Sequence, residues 1–263
     1  MLSLAASNYS NSAPLVWSFW HGTKRHQVDL ITDTAPSVCA EMLRDKFVDV
    51  ALTPVIEYQR IENTLIVPNI CIAAKTQVRS VILVTKGGEL KNARSIALDA
   101  SSRTSVALTQ IIFRELFDTQ PEFVSHHPNI ERMLETHDAA LLIGDPALRL
   151  DRTKYRVFDI VELWRSLTNC GFVFAFWLVR AEAIERAREI DFVAARDEGL
   201  MKTEEIMQFY ASDVGLEKKD FYSYLTENIT YTLDEDLLKG LTLFYQLAYK
   251  NDLINRLSPL RFI

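Results

Sequence analysis

Short apolar segments alternate with helical segments through the first two thirds of the chain, and this alternation is the strongest constraint on its fold. The apolar segments are rich in β-branched residues and are bounded by turn formers. They cover residues 48–54, 80–86, 95–100, 139–145 and 172–179. Between them, residues 35–47 and 105–117 carry apolar side chains at helical spacing. The pattern predicts parallel strands covered by helices, which is an α/β fold.

The pattern changes after residue 180, where only helices are predicted. These helices cover residues 181–200, about 202–214 and about 234–250. The sequence has no internal repeat, low-complexity run or obvious linker. A second lobe would therefore have to form from a chain that crosses over and returns.

Composition and charge exclude several classes of function. The 263 residues are 48% hydrophobic, which is enough for a sizeable core. The net charge is -6 with both signs interspersed, so we do not expect the protein to bind nucleic acid. The sequence has no apolar run of about 18 residues that would predict a membrane span. Its N-terminus does not resemble a signal peptide, which favours a cytoplasmic protein.

The sequence also lacks the motifs of common cofactor sites. Cys39, Cys71 and Cys170 are widely spaced, with neither a C-x-x-C pair nor a nearby histidine pair. This spacing favours reduced structural thiols and disfavours a metal site. No Gly-rich phosphate loop and no G-x-G-x-x-G is present, so a nucleotide is not expected. The motifs therefore indicate neither a zinc site nor a bound nucleotide.

Small polar residues cluster where several predicted strands end. The clusters are Asn8–Ser12, Thr53-Pro54, Ser101–Ser105 and Gly144-Asp145. Ligands of open α/β sheets bind beyond the carboxyl ends of the strands, where these clusters are predicted to lie. Each cluster alone is equally well explained as a helix cap, but four in one chain indicate a binding site.

The Ser/Thr cluster precedes a predicted helix, and this position favours a bound anion. Ser102, Thr104 and Ser105 stand beside the free backbone N–H groups and the positive end of the helix dipole. A carboxylate or a phosphate group would fit there. Arg103 lies in the same stretch, where it could pair with a substrate carboxylate or point to solvent.

No residue in the sequence is an unmistakable general base. Asp99 and Asp145 each end a predicted strand and fit either a catalytic role or a helix cap. Glu57 and Tyr58 follow another strand, although packing explains Tyr58 equally well. The His126–His127 pair sits in a predicted connecting loop and is expected to be exposed.

Six segments of the chain occur together, in the same order and at the same spacing, in one known family. They are NYSNSAPL, PSVCAEMLRDKFVDVALTPVIEY, IALDASSRTSVALTQIIF, AALLIGDPAL, FVFAFW and ENITYTLDEDLLKGLTLFYQLA. Over nearly its whole length the chain resembles the chorismate dehydratases of menaquinone biosynthesis, the first enzymes of the futalosine route. The resemblance implies a two-lobed type II periplasmic-binding-protein fold with a cleft between the lobes. The implied lobes are residues 1–85 with 180–263, and residues 86–179.

The resemblance also implies a reaction. Chorismate would lose its ring hydroxyl and the neighbouring ring proton as water, giving 3-[(1-carboxyvinyl)oxy]benzoate, without a cofactor. Asn11 is the expected catalytic residue, because a neutral amide can donate to developing negative charge, and helix capping is the alternative. Residues expected to bind the substrate are Ser12, Thr53, Ser102, Arg103, Thr104, Ser105, Gly144 and Asp145. The base is either a side chain or the enolpyruvyl carboxylate of the substrate itself.

The chain departs from the usual family pattern at two places, and two other functions stay open. Gly171 stands where proline is usual, which predicts a more flexible hinge, and the lead into NYSNSAPL lacks the usual arginine. One alternative is the dihydroxynaphthoate synthase of the same pathway, although the NYSNSAPL start and the extended C-terminal segment favour the dehydratase. The other is a solute-binding or sensing module, because this fold binds ligands more often than it transforms them.

Overall fold

The strands form two separate sheets. The computed structural model describes the backbone of residues 1–263 and all side chains except those of residues 33 and 34. The strands are β1 (Leu2–Ser7), β2 (Val28–Thr34), β3 (Val50–Pro54), β4 (Thr64–Ile66), β5 (Ile72–Ala74), β6 (Val81–Thr85), β7 (Ser95–Asp99), β8 (Glu122–His126), β9 (Ala139–Ile143), β10 (Arg156–Asp159) and β11 (Phe172–Arg180). The first sheet has the order β2-β1-β3-β11-β4, with β5 also paired to β11. The second sheet has the order β10-β6-β9-β7-β8.

Both sheets are mixed, whereas the sequence predicted parallel strands. In the first sheet β1 is parallel to β2 and β3, but β11 is antiparallel to β3, β4 and β5. In the second sheet β7 is parallel to β8 and β9, but β6 is antiparallel to β9 and β10. The reversed strands β6 and β11 are those that follow each passage between the sheets. Apolar runs indicate burial on both faces but do not carry strand direction.

The chain passes from one sheet to the other before β6 and again before β11. Strand pairing places β6 in the second sheet and β11 in the first. The crossing segments are therefore residues 75–80 and 169–171. The lobe boundaries expected after residues 85 and 179 lie one strand too far along the chain, because a buried apolar strand does not reveal which sheet it joins.

Hydrogen bonds from neighbouring elements hold both crossing segments. The Asp159 carboxylate accepts hydrogen bonds from the backbone N–H groups of Val78 and Arg79, at 3.0 and 2.6 Å. The Trp164 indole N–H donates to the carbonyl oxygen of Gly171 at 3.1 Å. Gly171 thus has a fixed contact at the point where the sequence predicted a flexible hinge.

α-Helices cover both sheets. They are α1 (Ala13–Trp20), α2 (Pro36–Arg44), α3 (Thr104–Ile111), α4 (Ile130–Thr136), α5 (Gly144–Leu148), α6 (Ile160–Thr168), α7 (Ile184–Arg188), α8 (Phe192–Met201), α9 (Thr203–Val214), α10 (Lys218–Ser223) and α11 (Glu235–Lys250). Turns of 3-10 helix lie at Val55–Gln59, Leu90–Asn92 and Ala181–Ala183, and π-helical turns follow α3 and α10 at Ile112–Leu116 and Tyr224–Asn228. Among the helices in the described part of the chain, none is both long and apolar enough to cross a membrane.

The predicted helix over residues 181–200 is broken into a 3-10 turn, α7 and α8. The break occurs at Asp191, whose carboxylate caps α8 by accepting a hydrogen bond from the Ala194 N–H at 2.9 Å. An aspartate inside an apolar pattern competes for backbone donors in this way, so it starts a new helix instead of continuing the old one.

The C-terminal helices pack mainly on the first sheet. α8 lies along α1, and α11 packs against β11. α9 also contacts α5, and α11 contacts α3, so both helices reach elements that follow strands of the second sheet. The chain end returns to the first sheet, where Phe262 pairs with Ile66. The largest cluster of buried apolar side chains therefore includes residues of both sheets.

α8 approaches α1 most closely at Gly199. A Cβ atom at this position would lie 2.0 Å from the carbonyl oxygen of Pro14, in the first turn of α1. We expect Gly199→Ala to lower the free energy of unfolding by about 1–3 kcal/mol, because the backbone of α1 would have to move. Gly88→Ala is the matched control, since a Cβ atom there meets nothing within 4 Å. Chemical denaturation measures the free energy of unfolding of both variants. Equal values for Gly199→Ala and Gly88→Ala would contradict the close packing of α8 on α1.

Candidate functional site

A cavity lies between the two sheets and is lined by residues of both. Its volume is about 70 Å³, which is below the range typical of small-molecule sites. Its lining consists of small polar and apolar residues, namely Ser7, Tyr9, Asn11, Ser12, Pro36, Leu52, Pro54, Ile72, Val78, Val81, Ser102, Thr104, Ser105, Ile143, Gly144, Phe174 and Ala175. None of the residues in this described lining is an Asp, Glu, His, Lys or Arg. The cavity therefore offers neutral hydrogen-bonding groups to a ligand.

The first polar cluster forms the loop between β1 and α1, and its side chains contact other elements. The Tyr210 hydroxyl of α9 donates to Asn8 Oδ1 at 2.7 Å. The Tyr9 hydroxyl lies 3.4 Å from Ser101 Oγ, in the turn after β7. The Tyr9 ring also covers Gly144, where a Cβ atom would lie 2.9 Å from the ring. The loop is thus fixed against the strand ends of the second sheet.

Asp145 binds across the cleft instead of lining the cavity. Its carboxylate accepts hydrogen bonds from Ser10 Oγ at 2.6 Å and from the Ser10 backbone N–H at 3.1 Å. Both residues are buried. Burial raises the pKa of the Asp145 carboxyl, and the hydrogen bonds from Ser10 lower it by a smaller amount. Asp145 was predicted to bind substrate, but it joins an element of the second sheet to the loop that follows β1.

Asn11, the expected catalytic residue, and Ser12, expected to bind substrate, both line the cavity. Ser12 precedes the first turn of α1, and no capping side chain is hydrogen-bonded to that turn among the described residues. The helix-cap alternative for Asn11 therefore has no support. Ser12 Oγ lies 2.9 Å from Ser7 Oγ and donates to Asn11 Oδ1 at 3.5 Å. The amide oxygen of Asn11 thus faces Ser12, and its amide nitrogen faces away from Ser12.

The N-terminus of α3 opens into the cavity, where Ser102, Thr104 and Ser105 all form part of the lining. Ser102 Oγ accepts a hydrogen bond from the Ser105 N–H at 3.2 Å. Thr104 Oγ1 accepts one from the backbone N–H of Ile56, across the cleft, at 3.3 Å. Within the described residues, no hydrogen bond occupies Ser105 Oγ. Ser105 is therefore the hydroxyl of this cluster that is most available to a ligand.

Of two further residues expected to bind substrate, Gly144 lines the cavity and Thr53 does not. Gly144 has a φ of +66°, and its N–H donates to the carbonyl oxygen of Ser80 at 2.7 Å. Thr53 lies between Leu52 and Pro54, which do line the cavity. Side chains alternate between the two faces of a strand, so Thr53 points to the other face of the first sheet. The prediction that Thr53 binds substrate is therefore not supported.

Arg103 is occupied by two glutamates and lies outside the cavity lining. Its guanidinium donates to Glu57 Oε2 at 3.2 Å and to Glu41 Oε1 at 2.5 Å, and both acids precede β6 in the chain. Glu57 is buried and also accepts a hydrogen bond from Arg60 at 2.9 Å. Arg103 was predicted to bind a substrate carboxylate, but it forms a second link across the cleft. The sequence could not show which acids would face it.

Other candidates from the sequence have structural roles. Asp99 accepts hydrogen bonds from Ser101 Oγ at 2.6 Å and from the Ser101 N–H at 2.9 Å, and burial raises the pKa of its carboxyl. The Tyr58 hydroxyl donates to the carbonyl oxygen of Pro259 at 2.6 Å, which agrees with a packing role. His126 is the last residue of β8 and not part of a loop, because the strand extends further than its apolar residues do.

Two buried hydroxyl groups near the cavity were not predicted from the sequence. Ser80 Oγ and the Tyr224 hydroxyl oxygen are buried without a hydrogen-bond partner among the described residues. Burial raises the pKa of Tyr224, while Ser80 and Asn11 lie close enough to lower it. Ser80 is a polar residue at the start of an apolar strand, which is a weak signal. Tyr224 gives no signal, since tyrosine is common in apolar cores.

The arrangement of ionisable side chains does not suggest a metal centre. In the described part of the chain, no group of three or more His, Cys, Asp or Glu side chains is placed to hold a metal ion. Cys71 and Cys170 are buried thiols, and burial raises the pKa of Cys71. A thiol in that environment is unreactive, which agrees with the structural role predicted for it.

Two mixed sheets with a cavity between them are the arrangement of a periplasmic-binding-protein fold. A similar solved structure is that of a protein from Archaeoglobus fulgidus, with a TM-score of 0.75 and 14% identity over 96% of this chain and 98% of that one. Another is the periplasmic aliphatic sulphonate binding protein of Escherichia coli, with a TM-score of 0.64 and 16% identity over 100% of this chain and 93% of that one.

The chain belongs to the menaquinone biosynthesis family, whose model matches residues 2–250. A curated relative is the chorismate dehydratase of Thermus thermophilus, which is 28% identical over 265 residues. The match covers 92% of this chain and 93% of the relative. The predicted fold and the predicted family are both confirmed.

The contact between Ser10 and Asp145 predicts a pH-dependent loss of stability in Ser10→Ala. The substitution removes a donor that lowers the pKa of Asp145, so the pKa of this buried carboxyl rises further. At about pH 8 the charged carboxylate is left with backbone donors, and we expect the free energy of unfolding to fall by about 1–3 kcal/mol. As the pH falls through the raised pKa, the neutral acid becomes cheaper to bury, so the difference from the wild type shrinks.

Chemical denaturation at about pH 8 and about pH 5 measures this difference. Ser166→Ala is the matched control, because the exposed Ser166 hydroxyl bonds, among the described residues, only to the Glu162 carbonyl one turn back in α6. A loss of stability in Ser10→Ala that is equal at the two pH values would contradict the account.

Proposed function

We propose that the protein is a chorismate dehydratase, which removes water from chorismate to give 3-[(1-carboxyvinyl)oxy]benzoate. The observation that carries the proposal is the cavity, whose described lining includes Asn11 and the N-terminus of α3 but no charged side chain. Membership of the menaquinone biosynthesis family and the similarity to the T. thermophilus dehydratase support this choice of reaction.

Binding must accommodate a substrate with two carboxylates. The backbone N–H groups at the start of α3 other than that of Ser105, together with the Ser105 hydroxyl, can donate to one carboxylate without bringing a positive side chain into the cavity. Helix N-termini are rigid, so they bind an anion without reorganisation. The apolar residues Leu52, Ile72 and Phe174 complete the lining and exclude water around the ring.

The elimination itself needs a proton acceptor and a donor to the leaving group. The ring C–H bond breaks, its electron pair forms the last double bond of the aromatic ring, and the ring C–O bond breaks. The base takes the ring proton and returns it to the departing hydroxide, so the net loss is one water and the reaction needs no oxidant or reductant. In this proposal the Asn11 amide N–H donates to the charge that develops as the proton leaves, and it stays neutral at every working pH.

The base is proposed to be the enolpyruvyl carboxylate of the substrate. Asp145, Asp99 and Glu57 are each engaged by hydrogen bonds or ion pairs, and none of them lines the cavity. The remaining ionisable group in the lining is Tyr9, and burial raises the pKa of its phenol, so it is a poor base. A substrate carboxylate held close to the ring proton supplies the missing function through proximity.

Incubation of the purified protein with chorismate tests the proposed reaction. We expect the diene absorbance of chorismate to disappear and mass spectrometry to find a product lighter by one water. A product that has lost pyruvate would contradict the dehydratase assignment. Binding of chorismate without turnover would favour a solute-binding module instead.

Asn11→Asp tests the catalytic role of the amide. The substitution keeps the size of the side chain but replaces the donor with a negative charge that faces an anionic substrate. We expect turnover of chorismate to fall by at least about 100-fold, with little change in the thermal midpoint. Asn8→Asp is the matched control in the same loop, because Asn8 is exposed and accepts a hydrogen bond from Tyr210. Near-normal turnover by Asn11→Asp would remove Asn11 from the mechanism.

Ser105→Ala and Ser102→Ala together separate ligand binding from helix stability. Ser105 Oγ is available to a ligand, so its loss is expected to raise KM for chorismate by about 10-fold or more, with an unchanged thermal midpoint. Ser102 Oγ accepts a backbone N–H of α3, so its loss is expected to cost about 1 kcal/mol of folding free energy. Steady-state kinetics and thermal unfolding measure the two effects. A lower thermal midpoint with unchanged KM in Ser105→Ala would show that its hydroxyl is only structural.

A further inference from the structure

Tyr224 lies in an unusual element and has an unusual environment. It is the first residue of the π-helical turn Tyr224–Asn228, which follows α10 in the part of the chain that returns to the first sheet. π-Helical turns inside α-helical segments are rare and are frequent at functional sites. The Tyr224 side chain is fully buried, and its hydroxyl has no hydrogen-bond partner among the described residues. A buried hydroxyl without a hydrogen-bond partner lowers the stability of the folded state, so a functional role for Tyr224 would explain its position.

One of the groups near the Tyr224 hydroxyl, Asn11, lines the cavity. Asn11 and Ser80 lie close enough to it to act as hydrogen-bonding groups, although neither makes a well-formed hydrogen bond to it in this structure. Asp145 and Arg79 are close enough to act on it electrostatically. Burial outweighs all of these effects and raises the pKa of Tyr224, so the phenol stays neutral at working pH. Tyr224 therefore offers one O–H donor and an oxygen acceptor to its neighbours.

The orientation of the Asn11 amide leaves its nitrogen for Tyr224. Asn11 Oδ1 accepts a hydrogen bond from Ser12 Oγ, and Ser12 is itself linked to Ser7. The amide nitrogen carries two N–H donors on the side away from Ser12. If one N–H of the Asn11 amide donates to the Tyr224 oxygen, the other N–H points to the cavity. The amide plane is then held by Ser12 at its oxygen and by Tyr224 at its nitrogen.

We propose that Tyr224 is a positioning residue that orients the Asn11 amide toward the ligand in the cavity. This inference rests on the proposed function of Asn11, because orientation matters only if the amide acts on a ligand. In this arrangement one amide N–H of Asn11 donates into the cavity and the other donates to the Tyr224 oxygen.

Tyr224→Phe removes the hydroxyl and keeps the ring. We expect kcat for chorismate to fall by about 10-fold or more while KM stays within about 2-fold, because ground-state binding depends on α3 and not on the amide. The thermal midpoint is expected to stay the same or rise, since the hydroxyl that is lost has no partner. In an Asn11→Ala background, Tyr224→Phe is expected to have no further effect, because residues that act through one another are not additive.

Tyr231→Phe is the matched control. Its hydroxyl is also buried and unpartnered among the described residues, and it lies within electrostatic range of Tyr224. We expect it to leave kcat unchanged. An unchanged kcat in Tyr224→Phe, or an equal loss in the wild-type and Asn11→Ala backgrounds, would overturn the inference.

A readout that does not use turnover separates this inference from the proposed function. In ¹⁵N-labelled protein, the side-chain amide signals that disappear in Asn11→Asp belong to Asn11. These signals are expected to shift in Tyr224→Phe and to stay in place in Tyr231→Phe. Unmoved Asn11 signals in Tyr224→Phe would overturn the positioning role even if the wild type is active. Shifted signals in a protein that does not turn over chorismate would support the positioning contact and contradict the dehydratase assignment.

Discussion

The hydrogen bonds between Ser10 and Asp145 hold the two sides of the molecule in the arrangement on which the cavity depends. Ser10 follows the first strand of one sheet, and Asp145 follows a strand of the other, so the contact closes the cleft where both strands end. A buried carboxylate without hydrogen bonds would be very costly, so Asp145 can be buried only when the loop carrying Ser10 is in place. The positions of Tyr9 and Asn11, on either side of Ser10, follow from the same contact.

The cross-cleft contacts also keep charge out of the cavity. Arg103 meets Glu57 and Glu41 beside the cleft, and Asp145 faces Ser10, so the nearby charged groups already have partners. Amide, hydroxyl and backbone N–H groups remain for a ligand. Such donors stabilise an anion without exchanging a proton with it. This environment suits a reaction in which the substrate carries two negative charges and supplies its own base.

The fold was predictable where local sequence carries the information. Apolar runs located β3, β6, β7, β9 and β11, but strand direction and the choice of sheet depend on partners distant in the chain. The residues of the candidate site likewise fall into those placed by local sequence and those placed by partners distant in the chain. Asn11 and Ser105 line the cavity, and their places at a strand end and at a helix start can be read from the sequence, whereas Arg103 and Asp145 bind partners 46 and 135 residues away. Thr53 lies in a polar cluster at the end of β3, but the alternation of side chains along the strand turns it away from the cavity. Tyr224 has no local signal at all.

The central claim is that the cavity between the sheets is where the substrate is held and transformed. A crystal structure of the protein with 3-[(1-carboxyvinyl)oxy]benzoate bound tests it most directly. The account predicts that the product lies between the sheets, with one carboxylate within hydrogen-bonding distance of Ser105 and the N–H groups of α3. The Asn11 amide nitrogen should face the ring, and Arg103 should keep its bonds to Glu57 and Glu41. A product bound outside this cavity, or one whose carboxylate displaces a glutamate from Arg103, would contradict the account.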